Sequence, residues 1–302
     1  MAIRVTSNMM TSQSLRNLNS NRATLDKLSD QSSSGKKINK PSDDPVGTTY
    51  ALRYRAELAA NDQYLNNTDE AKSWLNYSDT VMGQAGDVLT RIKELAVQAG
   101  SGTTDADGLK AVQSEVSELK NQLVNIGNSQ LNGKYVFNGQ ELDKAPYELS
   151  SSVTSYSDVI TDTGGVTYGI SEGVSLDVNV KGNDFFGNKT DIDNIFSTLD
   201  RLNTALASGD HEAITTEVTN IESRKDKMVT ARAEIGAKTN RVELVNSRLD
   251  DRRLNVTTLQ SQVEDADISE TLIKTTTAQT IYQAALQTSA SIMQMSLVNF
   301  LK

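Results

Sequence analysis

The sequence predicts a mainly α protein: an elongated antiparallel bundle of long helices with a small inserted β-rich domain and terminal helices that order on assembly. Three observations carry this. Apolar residues recur at every seventh position through eight residues, from Ile214 to Val263. A second stripe with the same spacing runs through the N-terminal half. Between the two lie short β-branched and aromatic runs separated by Gly, Asn, Asp and Ser.

The first segment, to about residue 37, is poor in apolar residues. Leu15, Leu18, Leu25 and Leu28 fall on one helical face, among Asn, Ser, Gln and Thr. A helix with so thin a stripe is marginal in water by itself. The stretch SSGKKINKPSDDPVG, residues 33–47, then holds two of the chain's three prolines. Gly35 is placed to end the first helix in the left-handed conformation, with Lys36 and Lys37 at the negative end of its dipole. Pro41 pushes Lys40 into extended backbone, so the helix cannot resume there. Asp44 reads as an N-cap with Pro45 at the first helical position, and Asp43 also suits that positive helix end. The stretch is either an ordinary interhelix loop or a joint between a separately ordering terminal segment and a pre-folded rod. The thin N-terminal stripe favours the joint.

From Val46 to about Gln98, Trp74, Val81, Val88 and Leu95 recur every seven residues, with Leu75, Met82, Leu89 and Ala96 beside them. Trp74 could join Tyr64, Leu65 and Tyr77 in a partner patch, but its place in the stripe favours the core. After GSGTTDADG, Leu109, Val112, Val116, Leu119, Leu123 and Ile126 alternate steps of three and four, a coiled-coil seam. KYVFNG, VTYGI and SLDVNV read as strands with tight turns, and Pro146 lies among them. Helical spacing returns at Ile192, Ile195, Leu199, Leu202 and Leu206. Ile214, Ile221, Met228, Ile235, Val242, Leu249, Val256 and Val263 then define a helix of roughly 75 Å at ~1.5 Å per residue. The last segment shifts register to Leu272, Gln279, Leu286, Met293 and Phe300.

The C-terminal end, SIMQMSLVNFLK, is the most apolar part of that segment. Met293, Met295, Leu297, Val298, Phe300 and Leu301 would be exposed in a monomer, which favours docking on a partner over self-packing. Leu15, Leu18, Leu25 and Leu286 join them as candidate assembly contacts. The expected division is a terminal helical segment (1–42 with 264–302), a long-helix rod (43–140 with 187–263) and the inserted module (141–186).

Composition narrows the function classes. Apolar residues make up 37% of the 302 and aromatics 5%, lean for a deep core and suited to striped helices. A net charge of −9 argues against general nucleic-acid or anionic-membrane binding. No window approaches a membrane span, and the start, MAIRVTSNMMTSQS, lacks the apolar run of a secretory signal. The absence of cysteine removes disulfides, thiolate metal sites and thiol catalysis. His211 is the single histidine and reads as a solvated residue at a helix start; alone it builds neither a metal cluster nor a triad. TTDADGLKAV fails as a calcium loop, because positions five and six from Asp105 are Leu109 and Lys110. Asp43 and Asp44 are explained by capping. No enzyme and no cofactor are expected.

At these residues the sequence resembles the bacterial flagellin superfamily. SSGKKIN and SDDP stand where that family has a serine-glycine, a basic-Ile-Asn unit and paired aspartates. Pro45 after the aspartates, the start MAIRVTSNMMTSQSLRNLN, and EDADISE followed by SLVNFL are similar to its hook-associated branch at the hook–filament junction. ARAEIGAKTNRVEL is similar to a segment shared across the superfamily. The resemblance spans roughly the first 140 and last 110 residues. It implies a secreted structural protein of the extracellular flagellum, exported through the flagellar channel with the help of an export chaperone. Its implied partners are copies of itself, the first hook-associated junction protein and flagellin, with neither nucleic acid nor membrane insertion. A short flagellin forming the filament itself, and a secreted coiled-coil adhesin displaying the β module, are the alternatives.

Overall fold

A computed structural model describes residues 7–149 and 155–300, with side chains for 9–149 and 155–291. The helices are α1 (Ser7–Ser34), α2 (Pro45–Gly100), α3 (Ala106–Gly127), α4 (Gly182–Phe186), α5 (Ile195–Ser208), α6 (His211–Glu264) and α7 (Ile268–Phe300). The strands are β1 (Gln130–Leu131), β2 (Lys134–Tyr135), β3 (Thr167–Ser171) and β4 (Val174–Asp177). The chain divides into two compact units, residues 61–251 and residues 1–60 with 252–302.

In the unit 61–251 the seven-residue stripes are the core. Trp74, Val81, Val88 and Leu95 are buried on α2, as are Leu75, Met82, Leu89 and Ala96. Ile214, Ile221, Met228, Ile235, Val242 and Leu249 are buried on α6. Each large aliphatic side chain so buried contributes about 1.5–3 kcal/mol. Polar pairs along the flanks fix the direction of pairing: Lys93 with Glu222, Asp79 with Arg232 at 3.0 Å, Lys72 with Glu243 at 2.8 Å, and the Asn61 amide donating to the Leu249 carbonyl at 3.0 Å. Positions fall on α2 as they rise on α6, so the helices are antiparallel.

Helix α3 buries Leu109, Val112, Val116, Leu123 and Ile126, and Asp105 caps it by accepting from the Gly108 amide at 2.9 Å. It packs beside α5, with Lys120 on Asp200. One expected helical position is corrected here. Asn194 caps α5, so the helix begins at Ile195, and Ile192 lies outside it and is 76% exposed. His211 opens α6 half-buried, its Nδ1 3.1 Å from the Ala99 carbonyl oxygen, rather than fully solvated.

Among the described residues, strand structure is confined to two antiparallel hairpins, β1–β2 ahead of the inserted segment and β3–β4 within it. Of KYVFNG only Lys134 and Tyr135 stay in a ladder; Val136 and Phe137 turn into the core. Phe137, Phe185, Phe186 and Phe196, four of the chain's five phenylalanines, are fully buried with Tyr147 against them. Phe185 and Phe186 meet edge to face at 4.9 Å, and such pairs add about 0.5–1.5 kcal/mol beyond area burial. A loop this buried needs partners for its backbone. Asparagines supply them. Asn128 exchanges two hydrogen bonds with the backbone of Tyr147, and Asn179 bonds both Val166 and Gly164.

A buried ion cluster anchors this segment to α6. Arg224, 1% exposed, donates to Asp193 at 2.6 Å, to Asp191 at 3.0 Å and to the Asp193 carbonyl at 3.0 Å. Lys227 and Ser223 complete the shell of Asp193. Burial pushes the Asp193 carboxyl up, but Lys227, Ser223 and Arg224 outweigh it and hold the group below the ordinary aspartate value; Asp191 is lowered against burial by the Asn188 amide and then Arg224. Their contribution to stability is therefore full above the ordinary aspartate range and lost as pH falls through the lowered values. Removing one member strands buried charge, so Arg224→Ala should destabilise this unit by about 3–5 kcal/mol in denaturant titrations. The wild-type margin over Arg224→Ala should shrink in acid, and a margin that stays constant down to strongly acidic pH would contradict the charge-pair account.

Candidate assembly surface and joint

The unit of residues 1–60 with 252–302 contains the candidate site. Gly35 ends α1 with φ 69°, where a side chain would be strained, and its amide bonds the Gln31 carbonyl at 3.0 Å. The chain then runs extended beside the α6–α7 connection. The Lys37 amide donates to the Glu264 carbonyl at 2.7 Å, and the Ala266 amide donates to the Gly35 carbonyl at 2.9 Å. Ile38 is buried and lies against the first turn of α2. A Cβ on Gly47 would come within 2.6 Å of the Ile38 side chain, so glycine is what lets that contact close.

Pro41 occupies an exposed turn closed by the Asp43 amide on the Lys40 carbonyl at 2.9 Å. Asp44 accepts from the amides of Val46 at 3.1 Å and Gly47 at 2.9 Å, and Pro45 takes the first position of α2. Asp43 faces away from that helix start. Its Oδ2 accepts from the amides of Asn39 and Lys40, and its Oδ1 meets Lys27 of α1 at 3.2 Å. The Lys40 amide and then Lys27 hold its carboxyl below the ordinary aspartate value. Asp43 thus ties the turn to α1 instead of complementing the dipole of α2.

Lys36 also differs from the helix-dipole reading. Its ammonium reaches Glu264 Oε1 at 2.8 Å. Glu264 is 1% exposed and takes further bonds from Arg55 and from Gln260 at 2.9 Å. One carboxylate therefore gathers the joint, α2 and the end of α6. Asp267 then caps α7 through the Glu270 amide at 3.0 Å.

Helices α1 and α7 pack on each other. The half-buried face of α1 is Thr11, Ser14, Leu18, Asn21, Leu25, Leu28 and Ser32, in alternating steps of three and four. The facing residues of α7 are Thr271, Thr275, Ala278, Tyr282, Ala285 and Ser289, with the same alternation. Two hydroxyls, Ser14 and Ser289, share a hydrogen bond at 2.6 Å. This corrects the register read from the sequence. The α7 seam runs one position before Leu272, Gln279 and Leu286, and Ser14 takes the place given to Leu15. On α7 small residues and Tyr282 make the seam, and the large aliphatic ones lie off it: Leu272 is 55% exposed, Ile273 67%, Ile281 51% and Ile268 50%.

Of the candidate docking residues, Leu18 and Leu25 lie half-buried in the seam, while Leu15 and Leu286 are exposed. The side chains of Met293, Met295, Leu297, Val298, Phe300 and Leu301 lie outside the described residues. Sequence reading missed Glu264, Arg55 and the small-residue seam. The seam's three-four alternation was present in the sequence; the partners of Glu264 are remote in the chain and carried no such signal.

Among the described residues no helix is long and apolar enough to cross a membrane, and no group of His, Cys, Asp or Glu is placed to hold a metal ion.

Residues 5–141 match the bacterial flagellin N-terminal helical region, and residues 218–301 match the bacterial flagellin C-terminal helical region. Flagellar hook-associated protein 3 of Escherichia coli (strain K12) is 25% identical over 99% of this chain and 100% of its own. Flagellin of Bacillus subtilis (strain 168) is 24% identical over 94% of each chain. Among solved structures, FlgL of Xanthomonas campestris aligns with a TM-score of 0.60 at 18% identity, over 69% of this chain and 99% of its own. The flagellar junction protein FlgL of Legionella pneumophila gives 0.58 at 16% identity, over 72% of this chain and 100% of its own.

Replacing Glu264 by Ala removes hydrogen bonds to two charged partners, each worth about 1.5–3 kcal/mol. Hydrogen exchange should accelerate at the Lys37 and Ala266 amides while the Ile221 and Ile235 amides keep their protection. Unchanged protection at Lys37 would show that the carboxylate does not hold the joint.

Proposed function

Because the chain belongs to the bacterial flagellin family, we propose that it is the structural protein that joins hook to filament, packing its terminal helices coaxially against those of neighbouring copies. It is a structural component of the flagellum and not an enzyme. The observation that carries the reading is the small-residue seam between α1 and α7. That seam satisfies the pair and leaves Leu272, Ile273 and Ile281 facing solvent. Exposed side chains of this size on a helix gain their burial from a further helix. Neighbouring copies supply it, and the contact offsets the entropy of ordering the ends.

Residues 1–42 with 264–302 act in this reading as the assembly segment, 43–140 with 187–263 as the rod, and 141–186 as the inserted β-rich module. Gly35, Pro41, Asp43, Asp44 and Pro45 form the joint between the first two. Leu15, Leu18, Leu25 and Leu286, with Met293, Met295, Leu297, Val298, Phe300 and Leu301, serve assembly and an export chaperone before it. The protein is secreted to the extracellular flagellum, between the first hook-associated junction protein and flagellin. Full-length likeness to hook-associated protein 3, with Pro45 after the paired aspartates, supports the junction over the filament.

A short flagellin is the second reading, supported by the comparable length and identity of the flagellin relative. Growth of purified chain into long filaments on flagellin seeds would establish it, whereas the junction reading expects a layer that stops. Leu272→Ser combined with Ile281→Ser should leave monomer helicity unchanged while abolishing incorporation and swimming. Normal flagella from that variant would refute the assembly role of this face.

A further inference from the structure

Asn-Gly occurs twice in the sequence, at Asn132–Gly133 and Asn138–Gly139, six residues apart. The two pairs have the same local chemistry, and the fold treats them in opposite ways. Asn132 and Gly133 form the two-residue turn of the β1–β2 hairpin, with φ of 53° and 79°. Both are exposed, and a Cβ built on Gly133 meets nothing within 4 Å. Asn132 is the one non-glycine residue at positive φ among the described residues. The hairpin it closes has two residues per strand, so opening it disrupts very little structure.

Asn138 is 6% exposed. Its amide nitrogen donates to the carbonyls of Glu141 and Lys144, each at 3.1 Å, and its oxygen accepts from the Asp162 amide at 3.2 Å. Gly139 is buried against the Asp162 backbone. Rotation of this side chain toward the next peptide requires breaking three hydrogen bonds and loosening a packed loop.

We propose that Asn132 is a site of spontaneous deamidation and isoaspartate formation in the folded protein, and that Asn138 is protected by its burial. The deprotonated Gly133 backbone nitrogen attacks Asn132 Cγ, the new C–N bond closes a succinimide, and the side-chain nitrogen leaves as ammonia. Water then opens the ring at either carbonyl, giving aspartate or isoaspartate. No oxidant or cofactor is needed. Isoaspartate adds a methylene to the main chain and breaks the Gln130–Tyr135 and Leu131–Lys134 register. Either product places a carboxylate in the cleft of about 360 Å³ that Asn132 shares with Asp69, Glu70, Lys134 and Tyr168. That region of an acidic protein thus gains like charge beside two carboxylates.

The test incubates the purified full chain in warm, mildly alkaline buffer, folded and in urea. Peptide mass spectrometry follows both asparagines, and an isoaspartyl methyltransferase labels the isomerised product. In the folded chain Asn132 should convert at nearly its unfolded rate. Asn138 should convert at least ~10-fold slower than its own unfolded rate, a protection of about 1.4 kcal/mol. Asn132→Gln should abolish methyl labelling of the peptide that carries residue 132, with no change in the circular dichroism of the folded chain. Conversion of both at one pace when folded, or an Asn132 that keeps its amide while the urea sample converts, overturns the proposal.

Discussion

Burial of apolar side chains that recur every seventh residue, on two helices of more than fifty residues each, is the constraint on which the rest of this architecture depends. With few apolar residues to spend on a deep interior, the unit 61–251 draws its stability from a narrow line of contacts repeated many times. The line tolerates polar residues everywhere else, which is why a chain of net charge −9 and modest hydrophobicity folds at all. It also sets the direction of the helices, because the flanking pairs Asp79–Arg232 and Lys72–Glu243 match only in the antiparallel sense.

The two units solve the problem of helix pairing with different chemistry. In 61–251 the seam is Leu, Ile, Val and Met, and large side chains exclude water. Between α1 and α7 the seam is Thr, Ala, Ser and one tyrosine on α7, against three leucines set among Thr, Ser and Asn on α1. Such a seam gives up little when it opens, and it displays its bulky residues outward. Around it, specificity comes from polar geometry: the cap at Asp44, the turn held by Asp43, and the buried Glu264 that receives Lys36 and Arg55.

How much of this was legible in the sequence follows from the same physics. The stripes on α2, α3 and α6 were readable because the positions they bury are filled by apolar residues at a fixed helical spacing. The start of α2 was readable because Asp and Pro adjoin at the helix start. The α7 seam was misread by one position, since threonine, alanine and serine carry no burial signature and the neighbouring Leu272 and Leu286 do. Glu264 could not be read, because its partners lie 228 and 209 residues away. The aromatic runs of the insert suggested longer strands than form; Val136 and Phe137 have strand propensity, yet burial against Phe185 and Phe186 took precedence over the ladder.

The placement of Trp74 has a practical corollary. It is the sole indole in the chain and is buried in the α2 stripe, within the unit 61–251. Intrinsic fluorescence excited at that ring therefore reports on the packing of the unit 61–251, whereas far-ultraviolet dichroism weighs every helix alike. A molecule that loses ellipticity while its emission stays fixed would be fraying from its extremities inward, and two common optical signals suffice to watch it happen.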